Sequence, residues 1–226
     1  MKKILKKSFM FFLFSLFSLN AFSQESEEIK KEISVNPFAK FGTNIMINTA
    51  PEQYRAPSPV NFILGGGAVI GLTEMITIEP ELDFWSMYYF FDGEKARPAE
   101  IEHRTATVLC FMLDIPVGFN FYKGNHTFTP GAGLGFLIRF GFLSHGVKSN
   151  DPGASGSAQN DVDKINSYFW GNARFLYPEV FFSWDYKITE KIRAGASVKL
   201  YIPAGSIISG DGIDGMILNF SARVIF

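Results

Sequence analysis

The sequence contains a single cysteine, Cys110, among its 226 residues. No intramolecular disulfide can form, and a domain of this length does not need one in order to fold. A lone cysteine is more often a small buried hydrophobic residue than a nucleophile. We therefore assign Cys110 no chemical role.

An excess of charge of one sign is also missing, because 21 Lys and Arg residues face 22 Asp and Glu residues. No segment carries a basic stripe, which argues against a nucleic-acid partner. No spacing of His, Cys, Asp or Glu is typical of a metal site. The run Gly65–Gly67 is followed by no helical pattern and so is not a phosphate-binding loop. The sequence predicts neither a cofactor nor a metal.

Long apolar runs are confined to the first residues of the chain. A basic head, Met1–Lys7, precedes the apolar run "SFMFFLFSLFSLNA", and Ala21 and Ser23 are the small residues that a signal peptidase reads. We predict a signal peptide over residues 1–23, whose removal takes the formal net charge from −1 to about −5. No cysteine lies near this site, which argues against a lipoprotein anchor. Beyond residue 23, no apolar stretch approaches the ~20 residues of a membrane helix.

Residues 24–226 read as a single domain, which begins with a short periplasmic segment and continues as eight segments of alternating polarity. Tight turns and longer loops alternate strictly between these segments. Five prolines inside them predict bulges or breaks, because proline cannot donate to a strand ladder; they are Pro37, Pro80, Pro116, Pro130 and Pro178. The predicted segments are about Ile33–Asn48, Val60–Gly71, Met75–Phe90, Thr105–Tyr122, Thr127–Leu143, about Ala173–Tyr186, Lys191–Pro203 and Gly215–Phe226.

The two faces of each segment decide which solvent surrounds the fold. One face is rich in phenylalanine and aliphatic residues, and the other carries Gly, Ser, Asn and charges. An eight-stranded barrel has an interior just wide enough for side chains, so the bulky face fits lipid better than the lumen. The sequence predicts an all-β, eight-stranded, antiparallel up-and-down transmembrane β-barrel, a monomer in the outer membrane of a diderm bacterium. Both termini are then periplasmic, and the loops near residues 50–58, 92–103, 145–168 and 204–214 face outside.

The charges assigned to the lumen are balanced in number, six acids against six bases. Charges that cannot be hydrated freely must be paired. We therefore predict a structural polar plug, with a narrow gated path for ions or solutes as the alternative. The predicted acids are Glu79, Glu81, Asp83, Asp114, Glu179 and Asp185, and the predicted bases are Lys40, Arg139, Lys191, Arg193, Lys199 and Arg223.

Two short stretches carry a resemblance to known proteins. The end of the chain, "FSARVIF", with Phe220, Ala222, Val224 and Phe226 on one face, is similar to the C-terminal assembly signal of bacterial outer-membrane barrels. The stretch "LDIPVGFNFY", Leu113–Tyr122, resembles a strand of small barrels often labelled PorT-like, with Asp114 where that pattern commonly has Glu. The architecture is also similar to eight-stranded outer-membrane proteins of the A, X and W types. The resemblance implies outer-membrane lipid and the barrel-assembly machinery, through the C-terminal strand, as partners.

The function expected from these features is non-enzymatic: a structural or surface-interaction role, with a ligand at the long loops. The loop from Ser144 to about Tyr168 is rich in small polar residues and is expected to be mobile. The alternatives are a narrow channel for small solutes or apolar compounds, as in the W type, and an accessory barrel of a secretion system, suggested by the PorT-like label alone.

A lipid-modifying enzyme is the weakest alternative. It would need a rim histidine with a serine and a carboxylate in reach. His103 and His145 lie in or beside the long loops, but Ser144 and its neighbour His145 point to opposite faces of a strand. His126 lies at the opposite rim. No catalytic residue is therefore predicted.

Overall fold

The computed structural model of the protein describes residues 33–49 and 60–226. The predicted signal peptide, the segment that follows it and the loop near residues 50–58 lie outside the described residues. The strands are β1 Ser34–Met46, β2 Val60–Gly71, β3 Ile76–Ile78, β4 Glu81–Phe91, β5 Ala96–Ala99, β6 Ala106–Phe119, β7 Phe121–Lys123, β8 His126–Leu143, β9 Leu176–Lys187, β10 Arg193–Tyr201 and β11 Ile217–Ile225. The helices are α1 Ala158–Trp170, followed by a 3₁₀ turn Gly171–Ala173, and α2 Ala204–Ser209.

The strands form one closed antiparallel barrel. Each strand pairs with its neighbours in sequence, and β1 closes the ring by pairing with β11 from Phe38 opposite Ile225 to Met46 opposite Ile217. The strands β3 and β4 together act as the third barrel strand, β6 and β7 as the fourth, and β5 extends β4 as a short hairpin above the barrel. The prediction of an eight-stranded antiparallel barrel is confirmed.

The prolines disturb the barrel less than expected. Pro80 separates β3 from β4, and the ladder continues around it because Ala68 N donates to Pro80 O at 3.1 Å and Glu79 N donates to Pro116 O at 3.0 Å. The other four prolines lie inside strands whose register runs on without a shift. The expected breaks are therefore confined to Pro80.

The outer surface of the barrel is a continuous apolar belt. Phe41 is 68% exposed and Phe62 is 86% exposed, and similar residues follow on every strand of the ring. Soluble monomers rarely expose apolar patches beyond a few hundred Å², so this surface faces hydrocarbon, as the alternation predicts. Further members of the belt are Leu64, Phe84, Ile115, Leu134, Phe140, Val180, Phe182, Val198 and Phe220.

The lumen consists of several layers, of which the sequence predicted only the charged one. The charged side chains occupy the middle, and a small apolar cluster of Phe38, Val69 and Ile225 lies at the end with the tight turns. The half below the long loops is filled by large apolar side chains, which we call the upper apolar layer. This layer includes Met46, Ile63, Trp85, Met87, Tyr89, Val108, Cys110, Met112, Leu137, Tyr177, Tyr201 and Ile217, together with Val162, Ile165 and Phe169 of α1.

Helix α1 covers the mouth of the barrel, where the sequence predicted a mobile loop. Ser157 is its N-cap and accepts from Asn160 N at 3.3 Å. Val162, Ile165 and Phe169 recur at helical spacing and are buried in the upper apolar layer. The prediction of a mobile loop is wrong here. The small polar residues at the start of the segment hid the helical spacing of these three apolar residues. Among the described residues, no helix is both long and apolar enough to span a membrane.

The helix also covers an open strand edge. Strand β9 pairs with β8 only as far as Phe136, so no strand of the described residues lies on that side of the last part of β8. Asn166 of α1 fills the gap, because its Oδ1 accepts from Gly141 N at 2.8 Å and its Nδ2 donates to Gly141 O at 3.0 Å. An unpaired strand edge is costly next to lipid. The two hydrogen bonds satisfy the backbone of Gly141 at this edge and also hold the helix in place.

Candidate functional site

The centre of the charged layer is built around two lysines. Lys199 on β10 places its Nζ 2.5 Å from Glu81 Oε1, 3.0 Å from Asp114 Oδ2 and 3.5 Å from Glu179 Oε2. Lys40 on β1 also contacts Glu81, and its Nζ lies 2.8 Å from Asp83 Oδ2. Alternation along each strand aims these side chains inward from five strands, so the cluster links opposite walls of the barrel.

A second cluster lies nearer the end with the tight turns, around Arg223 of β11. Its Nη1 lies 2.6 Å from Glu79 Oε2, and its Nε and Nη2 form a fork with the two oxygens of Asp185 at 2.9 and 2.6 Å. Nη2 also donates to Ser183 Oγ at 2.9 Å. Bidentate guanidinium–carboxylate pairs are among the strong, directional ion pairs in proteins, so this cluster fixes β11 against β9 and against the segment between β3 and β4.

Three of the predicted lumen bases lie outside the charged layer. Lys191 is exposed in the β9–β10 turn, and Arg193 is only half-buried at the start of β10. Placing Lys191 in the lumen is wrong, because the barrel wall begins at Arg193 and the turn before it projects into solvent. Arg193 lies opposite the inward Ile225, at the rim of the lumen and outside the charged layer. Arg139 is buried, but it lies higher, in the upper apolar layer.

The expected balance of six acids and six bases is therefore not found. Six carboxyl groups meet three bases in the charged layer: Lys40, Lys199 and Arg223. Several buried oxygens accept no hydrogen bond, namely Asp83 Oδ1, Asp114 Oδ1 and both carboxylate oxygens of Glu179. The lysines and Arg223 thus each serve more than one carboxyl group.

A separate set of ion pairs ties three loops together above the barrel. One chain of contacts runs from Asp92 Oδ2 to Arg97 Nε at 2.9 Å and from Arg97 Nη1 to Asp214 Oδ2 at 3.4 Å. The other joins Lys95 Nζ to Asp211 Oδ1 at 2.5 Å and Asp211 Oδ2 to Arg174 Nη2 at 3.5 Å. We call these loops, together with α1 and α2, the cap.

Partial burial acts to raise the pKa values of two cap carboxyl groups, but hydrogen bonds outweigh it. Arg97 and the Lys95 and Glu94 amides hold the pKa of Asp92 below its usual range. The hydrogen bond from Lys95 does the same for the pKa of Asp211. In return, the hydrogen bond to Asp211 raises the pKa of Lys95. The cap is therefore held by charged groups at neutral pH.

The residues considered for catalysis are not assembled in the part of the chain that the structure describes. His103 and His145 are exposed. Ser144 is buried and shares a hydrogen bond of 3.0 Å with Thr107 Oγ1. His126 accepts from Trp184 Nε1 at 3.0 Å at the opposite rim. Over the same described residues, no three metal-ligating side chains converge.

The predicted C-terminal assembly residues share the lipid-facing side of β11. Phe220, Val224 and Phe226 are exposed large hydrophobic residues, and Ala222 lies between them on the same face. Phe226 N donates to Pro37 O at 2.9 Å, so the pairing with β1 continues to this residue. Their recognition by the assembly machinery stays a prediction.

Comparison with known proteins gives a match at the level of structure only. No family model and no curated protein sequence matches this chain. The fold is similar to Neisserial surface protein A, with a TM-score of 0.54 at 10% identity over 86% of this chain and 98% of that one. It is also similar to the outer membrane protein OprG from Pseudomonas aeruginosa, with a TM-score of 0.50 at 7% identity over 88% of this chain and 99% of that one.

Identities this low establish the fold and nothing finer. The apolar belt, the charged lumen and the closed ring of eight strands are properties of this chain itself, and they agree with that fold. The chain is an eight-stranded β-barrel of the outer-membrane type.

Proposed function

We propose that the protein is a sealed, non-enzymatic outer-membrane barrel whose cap is a rigid surface for contact with extracellular molecules. The observation that carries this proposal is the layering of the lumen. Its charged layer is enclosed between the upper apolar layer on one side and the cluster of Phe38, Val69 and Ile225 on the other.

Conduction through such a lumen would be costly at two levels. An ion would have to leave water and pass between Trp85, Met87 and Leu137, which are almost completely buried. It would then have to displace Lys199 or Lys40 from carboxyl groups that hold them at ion-pair distance. Breaking a buried ion pair by removing one partner costs several kcal/mol. The layering therefore favours a closed barrel over a narrow channel.

The cap has the features of an interaction surface on a rigid support. Helix α1 buries one face and presents Gln159, Asp163 and Lys164 on the other. The ion pairs of Arg97 and Arg174 hold the flanking loops against one another. Binding residues are commonly found on loops that a rigid scaffold positions, and ordering the loops beforehand lowers the entropic cost of binding.

Planar-bilayer recording of refolded protein tests the sealed lumen. We expect no unitary current, because the side chains of the upper apolar layer are packed together and almost completely buried. A steady single-channel conductance that persists across preparations would contradict the proposal and favour the channel.

Surface labelling in intact cells tests the orientation of the cap. Cys110 is completely buried, so a membrane-impermeant maleimide should report only introduced thiols. We expect the variant Lys164→Cys on α1 to be labelled in intact cells. We expect Lys123→Cys, at the exposed end of β7 beside the tight turn, to react only after permeabilisation. The opposite pattern would show that the cap faces the periplasm.

A further inference from the structure

Arg139 is a buried cation that has no acidic partner in the described part of the chain. Its side chain extends from β8 into the upper apolar layer and is 6% exposed. Its guanidinium donates from Nη2 to the carbonyl oxygen of Arg174 at 2.8 Å, and the hydroxyl group of Tyr89 is a further hydrogen-bond partner. The plane lies over the ring of Phe169, 4.1 Å from its centroid. Its Nε is buried without a hydrogen-bond partner.

The other charges around the mouth do not supply the missing counter-charge. Asp92, Asp211 and Asp214 are taken up by Lys95, Arg97 and Arg174, three acids against three bases. Asp214 also accepts from Thr49 N at 2.8 Å. Since a buried charge is costly unless it is paired, a guanidinium left over from this balance needs an anion.

A cavity lies against this guanidinium. Its volume is about 40 Å³, and its polar lining consists of Arg139, Arg174, Tyr89, Tyr177, Ser206 and Asp214, whose carboxylate is paired with Arg97. A single water needs roughly 10–15 Å³ measured in this way, so the space fits a group of a few heavy atoms. Ile47 and Tyr168 in the lining are only half-buried, which places the opening at the outer face of the cap.

We propose that this mouth cavity binds a small organic carboxylate through Arg139. The planar guanidinium fork matches a carboxylate in shape and charge. The hydroxyl groups of Tyr177 and Ser206 both lie near Gly215, where a methyl group would approach them to 3.5 and 4.0 Å. They are placed to donate to the same anion. The aromatic and proline side chains of the lining restrict the ligand to a short apolar remainder.

The glycine at this position gives the cavity its room. Gly215 has a φ of +83°, in the left-handed region that other residues rarely adopt. Any side chain there would also project toward Tyr177 and Ser206, into the space assigned to the ligand. The backbone therefore leaves open the part of the cavity next to the two hydroxyl groups.

The test follows the Nε–H resonance of Arg139 by NMR, using the full chain refolded in lipid nanodiscs. Sodium acetate should shift this resonance saturably, whereas the neutral analogue acetamide and equal concentrations of sodium chloride should not. N-acetylglycine, titrated in parallel, separates a free small acid from the carboxylate end of a larger molecule. Acetate and N-acetylglycine are both small carboxylates of the proposed class. The one with the smaller Kd shows whether the cavity prefers a free small acid or the carboxylate end of a larger molecule.

Three variants decide whether the site is the one proposed, with acetate binding followed by the resonance of Gly215 N–H. Arg139→Met should weaken binding roughly tenfold or more, as expected for the loss of hydrogen bonds to a charged group. Tyr177→Phe, which keeps the packing, should weaken it by a smaller factor. Arg104→Met, which removes an exposed arginine at the same rim, should leave binding unchanged.

Three results would overturn the proposal. One is an acetate response that survives Arg139→Met. Another is a chloride response of equal size, which would show a site for any anion. The third is the lack of any saturable acetate response in the unmodified protein. The planar-bilayer result does not depend on this site, so failure here leaves the sealed barrel intact.

Discussion

Replacing Lys199 by methionine should destabilise the barrel more than any single loss of a surface charge. Its Nζ lies within 3.5 Å of three carboxyl groups, and each side chain in the cluster is at most 2% exposed. Removing one partner of a buried ion pair costs about 3–5 kcal/mol. Lys187→Met is the matched control, because Glu190 is its one ion-pair partner among the described residues and these side chains are 42% and 89% exposed. An exposed pair of this kind contributes about 0–1 kcal/mol.

The free energies of unfolding would be measured by urea titration of the refolded proteins in lipid vesicles, followed by tryptophan fluorescence. We expect Lys199→Met to lower stability by at least about 2 kcal/mol more than Lys187→Met. Adding Asp114→Asn to Lys199→Met should restore part of the lost stability, because it removes one uncompensated charge. In the unmodified protein Tyr201 OH donates to Asp114 Oδ2 at 2.6 Å, and the asparagine keeps an acceptor for this hydrogen bond. Equal effects of the two lysine variants would refute the reasoning.

Three further predictions concern the belt, the closing strand and the cap. Leu134→Arg, on the lipid face at the middle of β8, should cost about 2–4 kcal/mol in the same vesicle assay; no loss would show that this face does not meet lipid. Deleting Val224–Phe226 should abolish the folded band in heat-modifiable gel mobility because it shortens the ladder with β1, whereas Phe226→Tyr should keep it; a folded band in the truncated protein would mean that closure does not need these residues. Asp92 and Asp211 have lowered pKa values, so their contribution to stability is full above the unfolded carboxyl pKa near 4 and is lost as the pH falls through the folded values. The protection factors of the α1 amides against hydrogen exchange should therefore fall in acid while those of the barrel strands stay high, and equal protection factors at both pH values would contradict this.

The barrel itself could be predicted because its strands obey one simple rule. Alternation of period two in a segment such as Arg193–Tyr201 fixes both the strand and the face that meets lipid. The same rule placed Lys40, Asp114 and Arg223 inside. It failed for Lys191 because parity was carried past the end of the strand into the turn, where it no longer determines direction.

The layering and the cap could not be predicted from alternation alone. Parity assigns a residue to the lumen but not to a height, so Trp85 and Glu81 on β4 appeared equivalent although one lies among apolar side chains and the other among charges. A signal for α1 was present, since Ser157 precedes apolar residues at helical spacing, Val162, Ile165 and Phe169. The pairing of Asn166 with Gly141 depends on where β9 ends, which is a tertiary property.

The most direct test of the membrane barrel is the accessibility of nitroxide labels along β10 in lipid vesicles. Single cysteines would be placed at successive positions from Ala194 to Leu200 in a Cys110→Ser background, and collisions with oxygen and with a water-soluble nickel chelate would be measured by electron paramagnetic resonance. We expect oxygen accessibility to oscillate with a period of two, high at Ala196 and Val198 and low at Ser197 and Lys199, with little access of nickel to either set. A profile without alternation, or one with the opposite phase, would contradict a barrel whose apolar face meets lipid and whose charges fill a closed lumen.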